Sequence, residues 1–491
     1  MWLIPISTRR EFLARGLGLI GIGTALPNFL VRAAAAGSAT EPEGPILVVL
    51  QMTGGNDGLS TVVPYAHDEY ARARRALRIS ASEISKLDDE VGLHPNLKGL
   101  RKLYDQGALA VIQGVGYPNP NQSHFTSMDI WHTADVPDDS TGARWDKSYG
   151  WIGRYCDHAF RGDSDLKLAV AIGNSTAPRA ISGKDHTGLS FQTPATFGFN
   201  RIPADPQGSA AFRALRSIAP AASAANGSLD FVTQTASESN AAAAVVRELA
   251  GKYKSPTEYP GTPLAASLRM VAGLIAGGLN TRVYYVFQDG YDTHAGQRQR
   301  HDRLMADLDA AVTAFQKDLA RQGNNNRVLT MTFSEFGRRA EENGSQGTDH
   351  GMAGPMFLIG PRVRAGVHGR HPSLTEDELV YGRDLKFQID FRSVYATLLE
   401  KWLRTESRPV LGERFSFGLC GIARASPALK CRLPSGHWSR PVGGTYNFGV
   451  KPIVSSNKET GHEDLCDSIP LGTHCSRCVR TARSVRPRTH R

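Results

Sequence analysis

The sequence predicts an α/β fold in which a mostly parallel sheet lies between two layers of helices, a three-layer α/β/α sandwich. Short apolar runs recur along the chain, and they are apolar on both faces, which is typical of buried parallel strands. Helical patterns separate these runs, and strand–helix alternation predicts one parallel sheet covered on both sides. The predicted strands are residues 46–50, 109–115, 168–172, 283–287, 328–333 and 356–359.

The strongest helical pattern begins near Arg298 and ends at Gly323. Its apolar residues recur every three or four positions, so they share one face of a helix. They are Leu304, Leu308, Val312, Phe315 and Leu319. We therefore predict a long helix here that packs on the sheet.

Residues 1–36 have the features of a twin-arginine signal peptide. Arg9 and Arg10 precede an apolar stretch from about Gly16 to Leu30, and residues 33–36 are all alanine, as a cleavage site requires. The stretch is too short and too rich in glycine for a stable transmembrane anchor. The sequence thus predicts a periplasmic or secreted protein whose first partner is the twin-arginine translocation machinery.

The rest of the chain is predicted to form one domain, residues 44–419, with a helical insertion at about 208–278. Residues 420–491 are predicted to be a disordered tail that holds five of the six cysteines. The chain carries a net charge of +10, but this tail alone contains 12 basic and four acidic residues. The remaining body is close to neutral, which argues against a nucleic-acid-binding domain.

Polar side chains follow the predicted strands at the point where each strand ends. These residues are Asp57, Ser123, His124, Asp292, His294 and Glu335, together with Asp349 and His350 just before the last strand. Ligands of parallel sheets bind at the carboxyl ends of the strands. Carboxylates and imidazoles that converge there are typical of a divalent metal site, with Zn, Mg, Mn or Ca as candidates.

Each of these residues also has an ordinary structural interpretation. Asp57 lies in an Asn-Asp-Gly turn sequence, and Glu335 can cap a turn or pair with an arginine. Ser123 is either a nucleophile or a helix N-cap, and His124 is either a metal ligand or a general base. Arg338 or Arg339 is a candidate clamp for an anionic substrate, with surface ion pairing as the alternative.

Five segments resemble a family of Tat-exported bacterial proteins of unknown function, which is grouped with the alkaline phosphatase and sulfatase superfamily. The segments are residues 54–65, 123–125, 292–294, 334–338 and 347–351. The resemblance spans about residues 46–419 and implies an alkaline phosphatase-like fold with Asp57, Asp292, His294, Asp349 and His350 around metal. A further ligand of the well-studied phosphatases has only His368 or His371 as a counterpart here.

We therefore expect an exported, metal-dependent hydrolase of phosphate or sulfate esters, with Ser123 as the nucleophile. The alternative is a catalytically inactive exported protein that keeps the fold for binding or assembly. A polysaccharide-handling role is a third possibility, which rests only on the sugar sulfates used in the superfamily.

Overall fold

The computed structural model describes residues 44–136, 149–162, 165–173, 176–193 and 242–415. The predicted signal peptide and C-terminal tail lie outside these residues, as do residues 208–241 of the predicted helical insertion. Within the described part of that insertion, residues 242–252 are helical.

Nine strands of the described residues form one sheet with the order β11-β5-β10-β9-β1-β8-β6-β7, and β12 also pairs with β5. The strands are β1 Ile46–Thr53, β2 Val62–Val63, β3 Ser85–Lys86, β4 Gly92–Leu93, β5 Leu109–Gly116, β6 Ala169–Ile172, β7 Leu189–Phe191, β8 Val283–Asp289, β9 Val328–Phe333, β10 Gly354–Ile359, β11 Gly366–His368 and β12 Ile389–Asp390. Three short strands form a separate small sheet with the order β2-β4-β3. All six predicted strands are present.

Helices connect and cover these strands. They are α1 Gly58–Thr61, α2 Asp68–Ala73, α3 Lys98–Asp105, α4 His124–Thr133, α5 Trp151–Ala159, α6 at 242–252, α7 Pro263–Ala276, α8 Gln297–Arg321, α9 Phe391–Thr397 and α10 Arg408–Leu411. The predicted long helix is α8, and Gly323 lies two residues beyond its end with a positive φ of 76°. Single turns of 3₁₀ helix occur at Leu166–Leu168, Arg179–Ile181 and Asn325–Arg327, and a π-helical turn, Leu398–Trp402, extends α9.

The central strand β1 sends alternate side chains into two separate cores, because successive residues of a strand point to opposite faces. Leu47 and Val49 pack in one core with α4, α5 and α9. Val48 and Leu50 pack in the other core with α3, α7 and α8. The predicted three-layer sandwich with a mostly parallel sheet is therefore confirmed.

One strand of the large sheet runs against the others. β10 is antiparallel to both of its neighbours, β5 and β9, whereas β1 is parallel to β8 and β9. The segment that precedes β10 consequently lies at the same edge as the segments that follow the parallel strands. This reversal brings residues 349 and 350 to the edge where residues 292 and 294 follow β8.

Among the described residues, none of the helices combines the length and the apolar character needed to cross a membrane.

Candidate metal centre

Three imidazole nitrogens and one carboxylate face one another at the carboxyl edge of the sheet. Nε2 of His294 lies 3.0 Å from Asp292 Oδ1 and 3.0 Å from Nε2 of His350. Nε2 of His350 lies 3.2 Å from Asp292 Oδ1, and Nε2 of His124 lies 3.6 Å from Asp292 Oδ2. Donor atoms of His124, Asp292 and His350 all lie within 4.8 Å of one another, a spacing that could hold a metal ion.

These separations fit a metal with short bonds. Zinc binds imidazole and carboxylate donors at about 2.0–2.2 Å, so the donor atoms of a tetrahedral site lie about 3.3 Å apart. The four distances around Asp292 and His350 range from 3.0 to 3.6 Å. The donor atoms of His124, Asp292 and His350 therefore fit a divalent cation in both chemistry and spacing, and His294 Nε2 lies 3.0 Å from two of them, Asp292 Oδ1 and His350 Nε2.

The outer nitrogen of each imidazole has its own hydrogen-bond acceptor. His124 Nδ1 lies 2.9 Å from Glu335 Oε1, and His294 Nδ1 lies 3.4 Å from Asp349 Oδ1. His350 Nδ1 lies 2.8 Å from the carbonyl oxygen of Gln122. An acceptor at Nδ1 fixes the proton there and leaves Nε2 free to bind metal. All three rings are thus held with Nε2 toward the centre.

Phe336 fixes the planes of two of these rings. Its ring centroid lies 5.0 Å from that of His124 and 4.4 Å from that of His350. Gly55 makes room for it, since a Cβ at that position would lie 2.4 Å from the phenyl ring. A Cβ at Gly347 would likewise lie 2.2 Å from the backbone of His294, so the two ligand loops touch only because this residue is glycine.

Arg338 joins the loops around the centre and lies completely inside the protein, with 1% of the residue exposed. Its guanidinium donates hydrogen bonds to the carbonyl oxygens of Gly54, Gly55, Tyr291 and Thr348. It also donates to Asp292 Oδ1 at 2.8 Å. With its donors used in this way, Arg338 cannot serve as the clamp for an anionic substrate.

Hydrogen bonds and charges hold the carboxylate of the centre ionised. Burial acts to raise the pKa of Asp292, but the hydrogen bond and charge of Arg338, together with the neighbouring His350 and His294 rings, lower it to about 2. The hydrogen bond to Glu335 raises the pKa of His124 above its ordinary value. Burial lowers the pKa of His350. The electrostatics of the site thus favour a carboxylate and a neutral His350, the forms that bind metal.

Asp57 is not among the donor atoms that face one another. Arg74 binds both of its oxygens, at 2.6 and 3.0 Å, and both side chains are fully buried. The carboxylate oxygens of Asp57 also accept hydrogen bonds from Ser60 Oγ and the Leu59 N–H. Burial acts to raise the pKa of Asp57, but the charge and hydrogen bonds of Arg74 hold it well below its usual range. Asp57 is therefore a buried ion-pair partner of Arg74 and the N-cap of α1, not one of the facing donors.

The other predicted residues surround the centre. Glu335 and Asp349 contact the outer nitrogens of His124 and His294, and Glu335 also accepts the Gly54 N–H at 2.8 Å. Ser123 is the exposed N-cap of α4, and its side chain makes no capping hydrogen bond.

Arg339 and two late histidines occupy further predicted positions. The partly exposed Arg339 binds Asp349 Oδ2 at 3.0 Å. His368 and His371 hydrogen-bond to the carbonyl oxygens of Arg364 and Pro372, and neither is in the group of facing donor atoms.

Sequence reasoning missed three groups that hold the site residues in place: Arg74 and Gln297, which both donate hydrogen bonds to Asp57, and the carbonyl oxygen of Gln122 beside His350 Nδ1. Arg74 lies 17 residues beyond Asp57, directly after the short helix α2, where an arginine carries no signal of burial. A main-chain carbonyl has no residue type at all, so the partner of His350 cannot be read from sequence. Gln297 lies near the start of the predicted long helix, and a glutamine there carries no signal of burial or of its partners.

The fold and the site define an α/β protein with a candidate metal centre at the carboxyl edge of its sheet. Residues 198–412 match the family model "Protein of unknown function (DUF1501)". This match confirms the resemblance to a family of unknown function that the motifs predicted. Among curated proteins, none matches this sequence.

Solved structures with some likeness to this chain include sulfatases and phosphatases. A sulfatase from Pseudoalteromonas sp. is 11% identical with a TM-score of 0.30, over 76% of this chain and 70% of that one. The C-terminal periplasmic domain of EcEptC from Escherichia coli, in complex with Zn, is 9% identical with a TM-score of 0.31, over 65% of this chain and 73% of that one. Alkaline phosphatase from the Antarctic bacterium TAB5 is 12% identical with a TM-score of 0.27, over 66% and 95%. The sheet order and the two cores define the fold.

We predict that Asp57→Asn destabilises the protein by about 3–5 kcal/mol at neutral pH, because Arg74 would keep a buried charge without its partner. The pKa of Asp57 is lower in the folded state than the unfolded value of about 3.9. The ionised carboxylate therefore contributes fully to the free energy of unfolding above that pH, and this contribution declines as the pH falls below it. Urea unfolding of the wild type and of Asp57→Asn should show a smaller difference in the free energy of unfolding at pH 3.5 than at pH 7.

The exposed Asp89 provides the control, and Asp89→Asn should change stability little at either pH. A folded Asp57→Asn protein of normal stability that no longer binds metal would instead make Asp57 a ligand.

Proposed function

We propose that this protein is a metal-dependent hydrolase of phosphate or sulfate esters. The observation that carries the proposal is the inward-facing set of His124, Asp292, His294 and His350, whose imidazoles all have their outer nitrogens bound. Because three of the four donors are imidazoles, zinc suits the set better than magnesium, calcium or manganese, which prefer oxygen. A divalent cation bound there would polarise an ester oxygen and favour ionisation of a nearby hydroxyl.

Ser123 is the proposed nucleophile. The carbonyl oxygen of Gln122, the residue before it, accepts a hydrogen bond from His350 Nδ1. His124, the residue after it, directs Nε2 toward Asp292. The serine hydroxyl therefore lies on a segment anchored to the centre on both sides. Its exposure and the lack of a capping hydrogen bond leave it open to a substrate.

An anionic ester suits the surroundings of Ser123. The first N–H groups of α4, a ten-residue helix, follow this serine, and free N–H groups at a helix N-terminus favour a negatively charged ligand. Arg339 adds a partly exposed positive charge next to Asp349. Phosphate and sulfate esters both carry the charge that these groups would attract.

We also propose that the protein is exported by the twin-arginine route to the periplasm or beyond. Arg9-Arg10, the apolar stretch and the alanines at 33–36 support this proposal. This route carries folded proteins, so a metal could be bound before export.

Removal of one inward-facing imidazole should weaken metal binding. The purified protein should retain a divalent metal after dialysis, and His294→Ala should lower its affinity for Zn²⁺ by more than about 100-fold, since it removes a ligand. The side chain of His294 is 46% exposed, so the substitution should leave the fold intact. Titration against a chromophoric chelator gives the affinity.

His67→Ala is the matched control, a partly exposed histidine outside the centre that should bind zinc like the wild type. A wild-type protein that binds no divalent metal and hydrolyses no phosphate or sulfate ester would favour the alternative, an inactive binding or assembly protein.

Loss of the serine hydroxyl should separate catalysis from metal binding. Ser123→Ala should reduce kcat on aryl phosphates or sulfates by at least about 1,000-fold, because the nucleophile is lost, while zinc affinity stays unchanged. Steady-state rates with p-nitrophenyl phosphate and p-nitrocatechol sulfate provide the measurement. Thr126→Val, an exposed residue one turn along α4, serves as the control. Full activity of Ser123→Ala would reject the assignment and leave a water molecule as the nucleophile.

Export should depend on the paired arginines. Replacing Arg9 and Arg10 together by lysine should keep the protein in the cytoplasm, since the paired guanidinium groups are the recognised feature. Cell fractionation and immunoblotting measure the distribution. Arg15→Lys keeps the pair intact and should leave export normal; equal export of all three proteins would contradict the twin-arginine assignment.

A further inference from the structure

Gln297 is a buried glutamine whose side-chain amide connects three separate segments of the chain. It is the first residue of α8 and is 1% exposed. Its Nε2 donates to Asp57 Oδ2, and its Oε1 accepts hydrogen bonds from Thr293 Oγ1 at 2.9 Å and Thr348 Oγ1 at 2.7 Å. Glutamine is mostly exposed in proteins, and a buried glutamine is stable only when its amide has hydrogen-bond partners such as these.

The two threonines belong to the loops that carry the proposed metal ligands. Thr293 stands between Asp292 and His294, and Thr348 lies two residues before His350. The loops also touch directly, because the Thr348 N–H donates to the Thr293 carbonyl oxygen at 3.1 Å. Both hydroxyls are buried and point to the same oxygen of Gln297.

The main chain at the start of α8 adds to this connection. The N–H of Gln297 donates to the Gln346 carbonyl oxygen at 2.9 Å, and the N–H of Gly296 donates to the Ser345 carbonyl oxygen at 3.0 Å. The start of a 25-residue helix packed in the core is thus bonded to the loop that leads to His350. The helix provides a rigid reference for the position of that loop.

The orientation of the amide follows from its partners. Asp57 is ionised and can only accept hydrogen bonds, so the NH₂ group must face it. The oxygen must then face the threonines, which can both donate. Arg74 fixes Asp57 in turn and also binds the carbonyl oxygens of Arg339 and Ala340. The direction of every hydrogen bond at Gln297 is therefore set by the ion pair behind it.

We propose that Gln297 is a positioning residue of the metal centre, which holds the Asp292–His294 loop and the Asp349–His350 loop at the spacing that metal binding requires. This inference rests on the proposed metal centre. Gln297 does not touch the facing donor atoms itself. It acts through Thr293 and Thr348, whose neighbours in sequence supply Asp292, His294 and His350.

The chemistry of the position requires an amide. A glutamate would place a negative charge against Asp57, and a methionine of similar size would offer no donor and only a weak acceptor. In the methionine variant both threonine hydroxyls would lose their shared acceptor in a buried place. The loops would then be free to separate, and the distance of 3.0 Å between Nε2 of His294 and Nε2 of His350 would no longer be enforced.

The test compares the full chain with its Gln297→Met variant by two readouts, neither of which depends on catalysis. Zinc affinity is measured by competition with a chromophoric chelator, and the geometry of bound Co²⁺ by its visible absorption spectrum. We expect the substitution to weaken zinc binding by about 10-fold or more, the range found for groups that orient ligands, and to change the Co²⁺ spectrum. Thr348→Val removes one hydroxyl from the same network and should weaken zinc binding in the same direction, by less.

Gln316→Met is the matched control. Gln316 is a buried glutamine on the same helix, and its Nε2 has no hydrogen-bond partner among the described residues. This substitution should leave both readouts at the wild-type values, even if it alters thermal stability.

The outcomes separate the inference from the proposed function. If the wild type binds zinc and Gln297→Met and Thr348→Val bind it equally well with an unchanged Co²⁺ spectrum, the positioning role is wrong and the metal centre stands. If Gln297→Met does not fold, Thr348→Val decides by the same two readouts. A wild-type chain without metal affinity overturns the metal centre and the inference together.

Discussion

The site depends on the buried guanidinium of Arg338. This one group donates to carbonyl oxygens of the loop after β1, the loop after β8 and the loop before β10, and it also holds the carboxylate of Asp292. These loops lack regular secondary structure, so their carbonyl groups have no ladder partners, and a buried carbonyl without a partner is costly. A single planar group with five donors satisfies several of them at once. The loops can approach one another because Arg338 supplies the donors that their backbones lack.

The acidic residues of the site divide into three roles. Asp292 directs its oxygens toward the three inner imidazole nitrogens, whereas Glu335 and Asp349 accept hydrogen bonds from the outer nitrogens. Asp57 has a third role, as the buried partner of Arg74. The same residue type thus serves as candidate ligand, as orienting group and as structural anion. The position of the nearest cationic or imidazole group decides which role each one has.

The reversed direction of β10 is as important as any side chain. The segments after β9 and before β10 pair with each other, with a bridge between Arg338 and His350 and a hydrogen bond from the Gly351 N–H to the Gly337 carbonyl oxygen. His350 therefore lies next to the arginine that binds Asp292. A parallel strand at this place would carry the segment before it to the opposite edge of the sheet, away from His124 and His294.

The sequence by itself determined the layers of this protein and the neighbourhood of its site. Apolar runs predicted six strands of the large sheet, because strands buried on both faces are apolar throughout. The spacing of Leu308, Val312 and Phe315 predicted the long helix, because burial on one face of a helix leaves a periodic pattern. The ends of those strands pointed to Asp292, His294 and His350. Only the tertiary structure decided that Asp57 pairs with Arg74 and that Gln297 joins two loops. Such roles depend on partners between 17 and 240 residues away, and a pairing across that distance leaves no local pattern.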